Sequence, residues 1–325
     1  MPISSAKIIA FALLLASAAP APAPARATYQ RGLPTDPGST SVSRYGKITF
    51  NSSSNGNVTR ATFNNPPINL VDAFVVSDLF DFLHSLQPAP NKTTPKVVVF
   101  DSANPDWFLG HYDLHNIELP FTQTKADVFN QVIDCTRYIL NTTSTAFIAE
   151  INGRTIGLGQ ELSIQMDMRF AGPNALASSF EDSLGLTAAA GGQPFLGPVI
   201  GKARAMEYLL AAKAFDGPTG ERLGLFNTYY PTAEKLRSEV SALAERIALF
   251  PQHSINDTKV TLSLLNPTIA SLDDQLARFI PLMYLPEDQA TIAKFIEVSG
   301  NQTDSKFELG LPESSVQAVR DGVYL

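Results

Sequence analysis

The sequence is poor in the residues that carry covalent and metal chemistry. It has one cysteine, Cys135, one tryptophan and four histidines in 325 residues. A single cysteine excludes an internal disulfide, so burial must hold the fold, and the chain is long enough to bury a sizeable core. Cys135 lies in a helical apolar pattern with no histidine beside it, which reads as a small buried residue and not a nucleophile. The histidines are His84, His111, His115 and His253. Only His111-Tyr-Asp113-Leu-His115 brings two together. Asp113 there is equally explained as an acid at a helix N-terminus, so no metal site is assigned. There is no Gly-x-Ser-x-Gly, which leaves a Ser-His-Asp hydrolase unsupported. Gly157-Leu-Gly159 follows a strand and opens a helix, but the third glycine of a dinucleotide loop is replaced by Leu162. Positive charge is also scarce, with 24 Lys and Arg against 31 Asp and Glu. That balance argues against nucleic acid or an anionic membrane as a partner.

The apolar run at the start, Ile8–Ala19, has twelve residues after Lys7. A stable membrane anchor needs about 20 residues, so the run is too short for one. A Pro-Ala stretch follows and ends in Ala25-Arg-Ala27, a small-x-small cleavage pattern. Residues 1–27 therefore read as a secretory signal peptide. The alternative is a mitochondrial presequence, which is usually richer in arginine and amphipathic. Cleavage removes two positive charges and no negative one, taking the net charge from −7 to −9. Six Asn-x-Ser/Thr sequons, at Asn51, Asn57, Asn91, Asn141, Asn256 and Asn301, read as glycosylated surface positions in a secreted chain.

Residues 28–45 are rich in Pro, Gly, Ser and Thr and read as a flexible lead-in. A hairpin is expected from strands near Ile48–Phe50 and Thr59–Phe63. Asn69 is expected to cap a helix carrying Val71, Phe74, Val75, Leu79, Phe82 and Leu83. Val97–Phe100 is a continuous apolar run, as in a strand covered on both faces. A loop over 101–113, a helix near 125–140, a strand at Ala146–Ile151 and an Asn152-Gly153 turn follow. Met168–Ala171 and Ala177–Phe180 read as short strands. Helices are expected near 196–212, 218–224, 233–249, 254–264 and 286–299. Strands alternating with helices, then a helical tail, give an α/β (α+β) class.

Two carboxylates stand out. Glu161 follows the tight glycine turn, and Glu181 follows Ala177-Ser-Ser-Phe180, both in apolar surroundings. Two acids held in one pocket can divide acid and base work on a water. Around them lie, in order, Asn65-Pro-Pro-Ile-Asn69, Val97–Phe100, Phe108-Leu-Gly-His-Tyr-Asp-Leu114, Asn152-Gly-Arg-Thr-Ile-Gly-Leu-Gly-Gln-Glu-Leu162, Phe180-Glu181, Leu184-Gly-Leu186, Gly191-Gly192, Gly201–Leu210 and Glu221–Asn227. In these motifs, from about 45 to 235, the chain resembles the crotonase superfamily, the enoyl-CoA hydratase/isomerase group.

The resemblance implies a crotonase-like spiral of ββα turns over 46–235 with a C-terminal helical region over 236–325. It implies a homotrimer or hexamer and an oxyanion hole of two backbone N–H groups, here on Tyr112 and Leu158. Gly157 and Gly159 would let the backbone approach a small-molecule acyl substrate, with His111 beside them in the pocket. Glu161 and Glu181 match the two acids of a hydratase. No cofactor would be bound permanently, and a coenzyme A thioester would be the substrate. Once the signal is removed, no membrane partner is expected.

The sequence departs from the family at His111 and Leu158, where glycine is common, and at bulky Tyr112. These side chains would reshape the acyl pocket, with His111 or Tyr112 as an added hydrogen-bonding group. Asp106 and His115 stand where family members often carry phosphate-binding cations, leaving Arg154, Lys202 and Arg204 as candidates for that role. Lyase chemistry on an unsaturated acyl thioester is the leading expectation. The alternatives are an isomerase, a thioester hydrolase, a tailoring enzyme independent of coenzyme A, or a secreted pseudoenzyme. Expressed in a eukaryotic secretory host, the chain should begin at Thr28 on N-terminal sequencing and should shift on a gel after endoglycosidase treatment. An intact Met1 and an unchanged mobility would rule the secretory assignment out.

Overall fold

The computed structural model describes residues 37–87 and 93–324. The signal segment, the first part of the lead-in and the Asn91 sequon lie outside the described residues. In chain order the elements of the first half are β1 (Thr40–Val42), β2 (Ile48–Ser52), β3 (Val58–Phe63), α1 (Ala73–Ser85), β4 (Val97–Ser102), β5 (Trp107–Leu109), α2 (Gln123–Asn141), β6 (Ala146–Ile151), β7 (Arg154–Ile156) and α3 (Leu158–Ile164). Then come β8 (Met168–Ala171), β9 (Leu176–Ser178), α4 (Gly192–Ile200), α5 (Lys202–Leu210), β10 (Ala214–Asp216), α6 (Gly217–Leu223), β11 (Thr228–Tyr229) and α7 (Ala233–Ala248). The tail holds α8 (Gln252–Ser263), α9 (Ile269–Leu282), α10 (Pro286–Val298), α11 (Lys306–Leu309) and α12 (Glu313–Arg320).

Seven strands form one sheet in the order β1-β2-β3-β4-β6-β8-β11, and four form a second in the order β10-β9-β7-β5. The large sheet is antiparallel from β1 to β3 and parallel from β3 onward. Successive turns of the chain place one strand in each sheet: β4 then β5, β6 then β7, β8 then β9. A helix follows each pair, which makes the repeated unit ββα.

The central strands of the large sheet, β4 and β6, are buried on both faces. Val98 and Phe100 of β4, with Phe147 and Ala149 of β6, face the main core beside Phe63 and Phe82. Val97, Val99 and Ile148 face the other way, onto Leu236, Val240 and Ala244 of α7. The continuous apolar run of Val97–Phe100 is thus explained by alternation into two cores.

Several sequence-level expectations shift. Asp72 caps α1, accepting from the Phe74 and Val75 N–H groups. Asn69 instead adopts φ +50° and is fully buried. Its Oδ1 accepts from the Asn65 N–H at 2.8 Å, and its Nδ2 faces Ser102 Oγ and the Trp107 and Phe108 carbonyls. The loop expected over 101–113 contains β5, and β7 follows the 152–153 turn, because second-sheet strands of three residues are too short to show a period. The helix expected over 196–212 is two, broken at Gly201 with φ +89°. Helix α8 starts two residues before the expected 254 and takes in His253. Helix α9 was hidden by its internal Pro281.

On the α7 face the sheet buries charge. Arg60 Nη1 lies 2.8 Å from both Asp101 Oδ2 and Glu150 Oε2, across three adjacent strands. Arg237 of α7 closes the cluster at 2.6 and 2.9 Å from the same two acids. The acid side chains are 3% and 5% exposed, whereas Arg237 is 46% exposed and screened by solvent. Removing one partner of a buried pair strands the other charge, at a cost of about 3–5 kcal/mol. Arg60→Met should therefore lose more stability in urea denaturation than Arg237→Met; equal losses would contradict the arrangement.

Candidate active site

Two backbone segments meet at the edge of the second sheet. After β5 the chain runs Gly110-His111-Tyr112, and after β7 it turns at Gly157 into α3. Gly157 has φ +56°, a left-handed conformation that favours glycine. The Gly159 N–H donates to the Gly110 carbonyl at 3.1 Å. A Cβ on Gly159 would collide with the Leu109 carbonyl oxygen, so only glycine permits this approach.

The contact leaves two amides free. Gly157 N–H donates to Ser178 O at 2.8 Å and Gly159 N–H to Gly110 O, while Leu158, first residue of α3, has no backbone acceptor among the described residues. Tyr112 pairs with Val71 in a parallel bridge made by the Val71 and Asp113 N–H groups. That register leaves the Tyr112 N–H without an acceptor among the described residues.

Both residues line one cavity with about 70 Å³ of free space. Its polar wall carries His111, Glu161 and Glu181; its apolar wall includes Phe129, Val132, Ile133, Phe180 and Phe279. The structure therefore brings together all the sequence-predicted acids, both predicted amide donors and His111. Arg154, Lys202 and Arg204 do not line this cavity. Arg154 sits with its guanidinium carbon 5.9 Å from the Trp107 ring centre, and the other two are exposed at the start of α5. Of the sequons, Asn51, Asn141 and Asn301 are exposed, and Asn57 and Asn256 are half-buried.

The two acids differ in their surroundings. Glu161 projects from α3 into the N-terminus of α4. Its Oε2 accepts from the Ala190 and Gly192 N–H groups at 2.6 and 2.8 Å. Gln165 braces both segments, donating to the Glu161 and Ala190 carbonyls at 2.7 Å. Burial pushes the Glu161 carboxyl up to about 7, although the two backbone N–H groups pull it down. Glu181 opens a short 3-10 turn, Glu181–Leu184, after β9. Glu181 is half-buried as a residue, but its Oε2 is sealed from solvent with no hydrogen-bond partner among the described residues. Burial, then the charge of Glu161, holds its carboxyl well above the usual carboxylate range. Two neighbouring acids with unequal support separate into a more readily ionised one and a more readily protonated one.

His111 does not supply a free hydrogen-bonding group. It is 2% exposed, and both ring nitrogens face protein acceptors: Nδ1 the Tyr112 carbonyl at 2.9 Å, Nε2 the two Glu308 oxygens at 3.2 Å. The hydroxyl of Tyr112 is buried without a partner among the described residues. Glu308 and the C-terminal segment were not foreseen. The one signal was Ser305-Lys-Phe-Glu308, a Ser-x-x-Glu capping pattern. Ser305 does accept from the Glu308 N–H at 3.1 Å, but the Glu308 side chain turns to His111.

The elevated Glu161 carboxyl has a consequence for stability. Between its ordinary 4.5 and about 7 the folded chain keeps a proton that the unfolded chain has lost. Its contribution is fully present below about pH 4.5 and is lost as the pH rises through about 7. Glu161→Gln should flatten that loss, so the Tm difference between variant and wild type should move in the variant's favour from pH 4.5 to pH 8. A difference independent of pH would contradict the elevated carboxyl.

The profile of the Enoyl-CoA hydratase/isomerase family matches residues 53–276. A Streptomyces avermitilis structure described as an enoyl-CoA hydratase aligns with a TM-score of 0.76 and 30% identity, covering 86% of this chain and 98% of that one. An enoyl-CoA hydratase/isomerase structure from Mycobacterium paratuberculosis, at 22% identity and a TM-score of 0.68, shares the fold over 76% of this chain and 98% of its own. Among curated relatives, a Dictyostelium discoideum protein described as a mitochondrial enoyl-CoA hydratase is 31% identical over 132 residues, 41% of this chain and 47% of its own length. Mycobacterium tuberculosis echA8, similarly described, is 31% identical over 179 residues, 54% of this chain and 68% of its own. The crotonase-like architecture, the ordered motifs and these matches agree: the chain belongs to the enoyl-CoA hydratase/isomerase family.

Proposed function

We propose that this enzyme adds water to an α,β-unsaturated acyl thioester, or removes it from the 3-hydroxy product, through an enolate. The observation that carries the reading is the pair Glu161 and Glu181 in one largely apolar cavity with two backbone amides that have no acceptor among the described residues. A coenzyme A thioester is the substrate class, as the names of the relatives indicate for those proteins.

The roles follow from the surroundings of each acid. Glu161, supported by two N–H groups, is the carboxylate that takes a proton from water. The water oxygen bonds to the β carbon, and the π electrons move to the thioester oxygen. The Tyr112 and Leu158 N–H groups receive that oxygen as its charge grows. Fixed donors at a helix start in a dry site favour the enolate over the ground-state carbonyl. Glu181, the more readily protonated acid, delivers its proton to the α carbon. The net result is one water added and one proton moved from Glu181 to Glu161, which exchange back through solvent.

The cavity is narrowed by Tyr112 and Leu158 but not closed, which favours a short acyl chain. Assayed with a short enoyl-CoA, Glu161→Gln and Glu181→Gln should each lower kcat by about 100-fold or more, the range for loss of a positioned acid or base. A wild type with no hydratase activity, or undiminished activity in both variants, would sink the proposal.

A further inference from the structure

The cavity wall contains a buried polar pair that the hydration scheme does not use. His111 and Glu308 are 197 residues apart in sequence and are 2% and 0% exposed. The Tyr112 carbonyl can only accept, so His111 Nδ1 must carry a proton. Nε2 then stands 3.2 Å from each oxygen of a carboxylate, the geometry of a second donated bond. Around the ring, Phe180 and Phe295 make T-shaped contacts, their ring centres 5.7 and 5.4 Å from that of His111. Glu308 has no exposed surface and His111 almost none, so solvent has little access to replace either bond.

The same C-terminal segment grips the loop at further points. Gln302 accepts from the Leu114 N–H at 2.8 Å and donates to Asp113 Oδ1 at 2.8 Å. Asn301 Oδ1 lies 2.8 Å from His115 Nε2. From His111 to His115 the loop is thus fastened to residues 301–308 on both sides of Tyr112, which carries one of the two amides proposed to hold the enolate.

The geometry points to His111 as an imidazolium, held by Glu308, acting as a positioning residue: it fixes the Tyr112 peptide and sets a permanent positive charge beside the proposed oxyanion hole. This inference rests on the proposed hydration for its effect on rate, but the charge state of the pair does not depend on it. The charged groups that face His111 are Glu308 from α11, Asp113 from its own loop and Glu181 from the turn after β9. Burial lowers the affinity of His111 for its second proton, but Glu308, its hydrogen bonds and Asp113 outweigh this and raise it overall. The imidazolium in turn lowers the carboxyl of Glu181, opposing burial and Glu161. The ion pair is therefore lost as the pH rises through the elevated value of His111.

With four histidines in the chain, nitrogen-15 NMR can resolve the ring of His111. Both of its nitrogens should show the doubly protonated pattern at pH 7.5, and Glu308→Gln should convert the ring to the neutral pattern at the same pH. In the activity assay Glu308→Gln should lower kcat by about 10-fold or more with KM within about 3-fold, the mark of an interaction felt in the transition state. Glu308→Asp should restore part of the loss. If Glu308→Gln does not fold, the double variant His111→Phe, Glu308→Leu removes both charges and keeps apolar packing; it should fold and show the same loss in kcat. A neutral ring in the wild type, or wild-type kcat in a folded variant lacking the pair, would overturn the inference. An inert wild type with the doubly protonated ring intact would overturn the hydratase reading and leave the ion pair standing.

Discussion

The hydrogen bond from Gly159 N–H to Gly110 O joins two segments that the spiral would otherwise only bring near each other. One segment ends β5 and the other begins α3. Their approach is so close that a single methyl group on Gly159 would meet a carbonyl oxygen. It sets the separation of the Tyr112 and Leu158 amides, and it seats Glu161 two residues beyond the contact on α3. The ββα repeat has a clear purpose in these terms. Each turn delivers a short second-sheet strand whose end reaches the same small volume, and the large sheet supplies the burial that holds those ends still.

Much of this could be read in the sequence, and the reason is physical. Strands covered on two faces carry continuous apolar runs, so β4 and β6 declared themselves. Glycines in a close approach cannot be replaced, so the 157–159 turn and the acids beside it were legible as a constellation. Of the second sheet only β9 was legible, as Ala177–Phe180; β5, β7 and β10 were not, since strands of three residues have no period to detect. Asn69 was misread as a cap because its side chain bonds backbone that lies near it only after folding. Glu308 was invisible for the same reason: its partner is distant in sequence and its local pattern describes a helix start. The family resemblance pointed to the acids and amides, but it could not point to a pair of which one member, His111, departs from the family and the other, Glu308, lies beyond the residues that carry the resemblance.

The protein buries carboxylates in two different ways. Asp101 and Glu150 are neutralised by arginines on adjacent strands and a covering helix, and the result is structural. Glu161 and Glu181 receive backbone dipoles and each other's repulsion, without a cation in direct contact. Burial without full compensation is destabilising, and it is also what keeps a proton mobile near neutral pH. The cavity is thus the place where the fold gives up stability that the sheet's other face retains.

The contact between His111 and Glu308 also fixes when the site comes into being. A ribosome that has released everything through the family motifs has still not supplied the carboxylate that faces His111. Nor has it supplied Gln302, which holds the loop beside it. The loop around His111 therefore cannot be fastened until residues 302–308 are available, and a product cut short before residue 308 carries both glutamates without the clasp that orders their neighbour. Long-range closure of this kind makes residues 301–308 a condition for an ordered site, although the family motifs lie far upstream of them.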